Sequence, residues 1–145
     1  MSLLLRPAAM ADAKRLLDWR NDPHTREASF QSDVIRFDDH CGWLERVLAN
    51  DSYQLWIAEL DGQPVGHVRA CTSDVETTLS WMVAPSARGK GVGKQMVKMA
   101  VKLLSGKIRA EVKSGNAGSA RIAEFAGLVL VNAERDVLVY EMTNE

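Results

Sequence analysis

The chain has 145 residues, the length of one domain able to bury a sizeable core of its own. Apolar residues make up 46%, an ordinary globular share, and a formal net charge of −1 speaks against a nucleic-acid partner or a dedicated membrane-surface role. Two cysteines, Cys41 and Cys71, build no disulfide framework, and three leucines near the N-terminus are too few for a signal or membrane segment, so a cytoplasmic protein is expected.

In chain order, Leu3 to Arg6 has the pattern of a short strand ended at Pro7. Ala8 to Trp19 has helical spacing, and Asn21-Asp22-Pro23 stops it. Residues 24–36 fit a loop or a short helix. Phe37 to Ala49 is helical, with Trp43, Leu44, Val47 and Leu48 on one side. The period then switches to two. Tyr53 to Leu60, Gln63 to Cys71 and Glu76 to Val83 are expected as an antiparallel meander, with Asp61-Gly62 as its first turn. Gly93 to Leu104 is an amphipathic helix with Met96, Val97, Ala100, Val101 and Leu104 inward and a lysine stripe at 94, 98 and 102 outward. A strand at 107–112, a helix at 116–125 and strands at 128–132 and 136–142 complete the chain. No linker or repeat divides it, so one α/β (α+β) domain spanning 1–145 is expected. That order suits a mixed, mostly antiparallel sheet of about seven strands with helices on both faces.

The junction between strand and helix at residues 83–93 carries the most chemistry. It places glycines at 89, 91 and 93 around Arg88, Lys90 and Val92, with Lys94 following. Glycines at a helix start leave main-chain N–H groups bare at the positive end of the helix dipole, which makes an anion site. The turn suits a pyrophosphate. Two familiar phosphate loops fail on spacing. A P-loop would need glycine where Arg88 stands and a hydroxyl where Gln95 stands. The dinucleotide fingerprint would need glycine at Lys94. The remaining alternative is a ligand-free glycine turn.

Val83-Ala84-Pro85, the Arg88-Gly89-Lys90-Gly91-Val92-Gly93 run and Asn116-x-x-Ser119, with Gly127-Leu128 beyond, resemble the GNAT superfamily of acyl-CoA N-acyltransferases. The resemblance implies a sheet splayed between the fourth and fifth strands. It implies acetyl-CoA in that opening as cosubstrate, its pantetheine arm along Met82 and Val83, its pyrophosphate on the amides of residues 88–93, and Asn116 against the arm. Trp19-Arg20-Asn21-Asp22, followed by Arg26, Phe30, His40 and Trp43, is similar to the branch that acetylates nucleotide-linked amino sugars. Protein N-terminal acetyltransferases share parts of that pattern. The resemblance implies Trp19, Arg20 and Asn21 as acceptor contacts, and guanidinium forks at Arg20 and Arg26 suit a diphosphate. Strand alternation puts His67 with Arg69 on one face of its strand, a polar face suited to lining a cleft and giving a further acceptor contact. Trp19 and Trp43 serve equally as core aromatics, and His67 as an ordinary sheet histidine.

Amine attack on a thioester needs a neutral amine. At pH 7 an amine of pKa ~10.4 is neutral about 0.04% of the time, a handicap of roughly 4–5 kcal/mol, so a base or relayed water must assist. The carboxylate frequent in the family's fourth strand is replaced by Thr78, leaving Glu76 on the same face as the base candidate. The tyrosine frequent seven residues after the motif asparagine is replaced by Ala123, leaving Tyr140 as the acid candidate. No histidine or cysteine spacing suggests a metal. The expected activity is N-acetyl transfer from acetyl-CoA to a small amine, favoured as a nucleotide-linked amino sugar. A peptide N-terminal acetyltransferase, a non-catalytic acyl-CoA sensor and a dimerising interaction protein are the alternatives, and a homodimer through a strand edge is compatible with each.

Overall fold

A computed structural model describes residues 2–30 and 33–144. Strand β1 (Leu3–Pro7) leads through a 3-10 turn at Met10–Asp12 into helix α1 (Ala13–Asn21). The turn displaces the helix start five residues from the expected Ala8. It exists because Asp12 folds back, accepting from the Ala9 N–H at 2.9 Å while the Arg6 fork donates to both its oxygens at 2.9 and 2.8 Å. The Arg6 hydrogen bonds foremost hold this nearly buried carboxyl below the usual range, against the effect of burial. Asn21-Asp22-Pro23 ends α1 and at once starts α2 (Pro23–Ala28). Asp22 caps α2 by accepting the Thr25 N–H at 3.1 Å, and Pro23 occupies the first turn, where its missing donor costs nothing. Residues 24–28 are therefore helical, while the stretch before α3 (Phe37–Ala49) has no regular structure at residues 33–36.

Strands β2 (Tyr53–Leu60), β3 (Gln63–Thr72) and β4 (Thr77–Val83) follow as the expected meander. Asp61 and Gly62 turn the first hairpin with φ of 51° and 86°, the left-handed pair such a turn requires. Then come α4 (Val92–Lys102), β5 (Gly106–Lys113), α5 (Ala117–Phe125), β6 (Val129–Glu134) and β7 (Val137–Asn144). The sheet runs β1-β2-β3-β4-β5-β7-β6, and every pair is antiparallel except β4 with β5.

That exceptional pair creates the opening. Only three rungs join it, Thr77 to Ile108, Thr78 to Arg109 and Leu79 to Ala110. Beyond Leu79 the strands part, and the sheet is splayed open between them. Two apolar clusters hold the halves. On one face α1 and α3 pack Ala13, Leu16, Leu44 and Val47 over Leu55 and Ile57. On the other, α4 buries Val92, Met96, Val97, Ala100 and Val101 against Val68, Leu79 and Ile108, with α5 beside it. Among the described residues no helix is long and apolar enough to cross a membrane, and no three His, Cys, Asp or Glu side chains are grouped to hold a metal.

Candidate functional site

A cleft of about 1100 Å³ occupies the splay. The open ends of β4 (Ser80–Val83) and β5 (Glu111–Lys113) form its arms, the loop before α4 its floor, and residues of α1, α2 and α3 its far wall. Main-chain groups of β4 beyond Leu79 have no β5 partner, so an extended ligand can complete that ladder from within.

The three loop glycines do different work. Gly89 and Gly91 have φ of 79° and 75°, and Gly91 is the residue from which α4 starts. Gly93 instead makes room: a Cβ there would lie 2.5 Å from Ile122 Cδ1 and 3.0 Å from Val83 Cγ2, locking α4 between α5 and β4. The first helical bond at this end is from the Gln95 N–H to the Gly91 carbonyl, at 3.3 Å. Among the described residues, the main-chain N–H groups of Gly89 to Lys94 meet no protein acceptor. They form an open donor array at the positive end of an eleven-residue helix.

Arg88 departs from its expected role. Its guanidinium donates to Asp22 Oδ2 at 2.9 Å and to Thr25 Oγ1 at 2.7 Å, so the side chain ties the loop to the start of α2. Its N–H is turned to the Pro85 carbonyl at 3.5 Å, which shifts the free array one residue downstream of the expected 88–93. Met82, Val83, Gly89, Gly91, Val92, Gly93 and Lys94 line the cleft, whereas Lys90 does not. Lys94 lies 5.7 Å from the Phe125 ring. Asn116 and Ser119 line the cleft too, but as a helix cap: Asn116 Oδ1 accepts the Ser119 N–H at 3.2 Å, and its Nδ2 donates to Ser119 Oγ at 3.1 Å.

The acceptor wall is built on one face of β3 and β4. Register pairs His67 with Met82 and Arg69 with Ser80, so all four project to the same side, towards α1–α3. Arg69 lies 5.5 Å over the Trp43 ring. Among the described residues His67 Nδ1 is enclosed without a hydrogen bond. Burial, then the charge of Arg69 and the proximity of His40, push the imidazole down to about 3, so it is neutral at physiological pH. Arg20 lines this wall. Asn21 and Trp19 do not. The Asn21 amide is consumed by the Ile35 backbone, accepting its N–H at 2.9 Å and donating to its carbonyl at 2.8 Å. Trp19 packs between the two cores with its ring 6.5 Å from His67. Both support the wall from behind.

Neither expected proton-transfer residue lies in the cleft. Glu76 precedes β4 at the closed end of the splay, facing Lys107 at 3.6 Å and Arg109 at 3.9 Å. Six residues of strand, about 20 Å, separate it from Met82. Tyr140 pairs with Ala110 and Leu130 and is 2% exposed in the core under α5. Burial, then Glu124, push its phenol up. The carboxylates that do line the cleft are Glu111 and Asp39. Glu111 is the first β5 residue past the last rung, opposite Ser80 by continued register, and accepts from Arg109 Nη2 at 2.9 Å. Period-two alternation through Arg109 and Glu111 was visible in the sequence; the shortness of the β4–β5 ladder, which puts Glu111 at the opening, was not.

The sequence matches the family model of the GNAT acetyltransferase domain over residues 2–129. No curated protein matches it. Among solved structures, the chain is similar to the aminoglycoside acetyltransferase AAC(6')-Ib in complex with coenzyme A, at 24% identity and a TM-score of 0.81, over 98% of this chain and 95% of that one. It is similar to spermidine N-acetyltransferase from Vibrio cholerae in complex with CoA and spermine, at 17% identity and a TM-score of 0.87, over 98% and 95%. A ribosomal-protein-alanine N-acetyltransferase from Brucella melitensis shares 23% identity with a TM-score of 0.77, over 97% and 99%. At these identities the likeness is one of fold.

Proposed function

We propose that this chain, which belongs to the GNAT acetyltransferase family, is an acetyl-CoA-dependent N-acetyltransferase that moves the acetyl group directly to a primary amine of a small substrate in a ternary complex. The observation that carries this is the free N–H array of Gly89 to Lys94, set beside a β4 edge left open by the splay. The array suits a diphosphate, and the open edge along Met82 and Val83 suits an arm bearing amides. Acetyl-CoA supplies the acetyl group, activated as a thioester. The protein's share is to hold the donor extended, to orient the amine against it and to remove a proton. Glu111, at the opening of the splay, is the group we assign to that proton, through a water molecule. A thiol of pKa about 8.5 leaves acceptably without a placed acid, which accords with a buried Tyr140. The acceptor we favour is a nucleotide-linked amino sugar. Its support is the motif after Trp19 together with Arg20, Arg36 and Arg69 around the acceptor wall.

Acetyl-CoA at a hundredfold excess over Kd stabilises a binder by roughly 2.7 kcal/mol. In a domain of this size that raises Tm by about 8 °C. Thiol release across a panel of amines then separates an enzyme from a sensor. Glu111→Gln is expected to keep the acetyl-CoA shift and to lower kcat/KM at least a hundredfold. Absence of any shift at millimolar acetyl-CoA would refute the assignment, and an unaltered kcat/KM in Glu111→Gln would remove that residue from it.

A further inference from the structure

Helix α3 buries His40, Leu44 and Val47 on one stripe, spaced four and three apart. Leu44 and Val47 close the core over Leu55 and Ile57. His40 is an imidazole in the same stripe, 5% exposed, where α3 lines the cleft. Trp43 stacks against it, with ring centroids 5.5 Å apart and planes at 30°. Its Nε2 is enclosed and meets no hydrogen-bond partner among the described residues. A position that only had to fill the core would be served by leucine, whereas an unpaired buried nitrogen costs the desolvation of that atom. On the facing strand β3, His67 Nδ1 is enclosed in the same way, so the wall is polar at two places that carry no charge.

The other side of the His40 ring sets what its Nε2 can do. Burial foremost pulls the His40 pKa down, and a hydrogen bond to the Ala13 backbone opposes it. A bond that favours the protonated ring is one the ring donates, so Nδ1 carries the proton of the neutral imidazole and Nε2 holds a lone pair. That atom accepts and does not donate. A carboxylate or phosphate, which only accepts, finds nothing on it. An ammonium donates, but it would be buried close to the Arg69 guanidinium, which lies 5.5 Å from the same Trp43 ring. A hydroxyl donates and brings no charge. We propose that His40 Nε2 accepts a hydrogen bond from a hydroxyl of the acceptor, so that the cleft selects a hydroxylated amine over one of similar size without hydroxyls. A site built to pair a hydroxyl rejects the analogue lacking it, because its own polar atom is then left unpaired. The proposal rests on the acetyltransferase reading, since it names a feature of the acceptor in the same cleft, and it holds whether or not that acceptor carries a phosphate.

The test compares glucosamine with cyclohexylamine, two primary amines on six-membered rings, one with hydroxyls and one without. Both are titrated by calorimetry onto protein saturated with CoA, and both are followed by thiol release from acetyl-CoA. Glucosamine is expected to bind, and His40→Phe should weaken that binding about tenfold. His40→Phe should also lower the ratio of glucosamine to cyclohexylamine kcat/KM about tenfold, a comparison between wild type and variant that cancels the different basicities of the two amines. His40→Gln, which puts an oxygen near the place of Nε2, should recover part of each loss. His40→Phe keeps a ring against Trp43 and removes the unpaired nitrogen, so its Tm should equal or exceed that of wild type. Nitrogen NMR of the wild type should show Nε2 unprotonated, with its resonance moving when glucosamine is added. Failure of glucosamine to bind the CoA-saturated protein, an unchanged ratio in His40→Phe, a lower Tm in that variant, or a proton on Nε2 would each overturn the proposal and leave the acetyltransferase standing. Failure of CoA itself to bind would overturn the enzymatic reading instead; glucosamine titrated onto the protein alone, wild type against His40→Phe, would then still judge the histidine.

Discussion

Removing the Arg88 side chain should loosen the acceptor wall while sparing the cofactor site. Arg88 Nη2 is the donor to both Asp22 Oδ2, at 2.9 Å, and Thr25 Oγ1, at 2.7 Å. At the other end of α2, Lys113 Nζ donates to the Glu27 carbonyl at 3.0 Å. The six-residue helix α2 is thus tied to the loop after β4 and to β5, and spans the two arms of the splay. A charge-assisted hydrogen bond nets about 1.5–3 kcal/mol. With side chains 32% and 21% exposed, solvent screening trims the pair, and we expect about 1–2 kcal/mol. At roughly 3 °C per kcal/mol for this size, Arg88→Ala should lower Tm by about 3–6 °C. Asp22→Ala also removes the α2 cap, worth about 1 kcal/mol more. Because the Arg88–Thr25 bond survives Asp22→Ala, adding Arg88→Ala to that variant should cost something further, but less than Arg88→Ala costs in the wild type, since the two share one clasp. In steady-state kinetics each single variant should raise the acceptor KM several-fold, since His24 and Thr25 of α2 line the cleft, and change acetyl-CoA affinity less than about threefold. Additive stability losses would refute the clasp. So would a tenfold loss of acetyl-CoA affinity in Arg88→Ala without one in Asp22→Ala, which would make Arg88 a phosphate ligand.

Two further outcomes follow from packing and charge. Gly93→Ala puts a Cβ 2.5 Å from Ile122 Cδ1, an overpacking expected to cost about 1–3 kcal/mol. Ile122→Val deletes that Cδ1, so denaturant melts should show the double variant more stable than Gly93→Ala alone; no rescue would place the strain elsewhere. Asp12→Asn should cost about 2–3 kcal/mol at pH 7, because it leaves the Arg6 fork half-served in a nearly buried site. Its carboxyl is held below 3.8 in the folded state, so the stability it adds is complete above that value and is lost as pH falls through the lower folded one. The gap between wild type and variant should therefore close in urea titrations below about pH 4, and a gap constant with pH would contradict the Arg6 pairing.

What the chain alone determined is what neighbours in sequence can enforce. Apolar spacing of two or of three to four drew the seven strands and the amphipathic helices, Asp61-Gly62 turned a hairpin, and glycines 89 and 91 stripped the start of α4 of acceptors. These are local constraints on φ, on side-chain direction and on helix ends. Tertiary structure decided which strand lies beside which, inserting β7 between β5 and β6, and stopped the β4–β5 ladder after three rungs. That stop made the cleft, brought Glu111 to its opening and left Glu76 at the closed end. It was tertiary structure, too, that turned Arg88 towards Asp22, 66 residues away, and consumed Asn21 on Ile35. The physical reason is that a polar side chain's role depends on which donor or acceptor reaches it first, and that competition is settled between segments distant in sequence, where period and propensity carry no information.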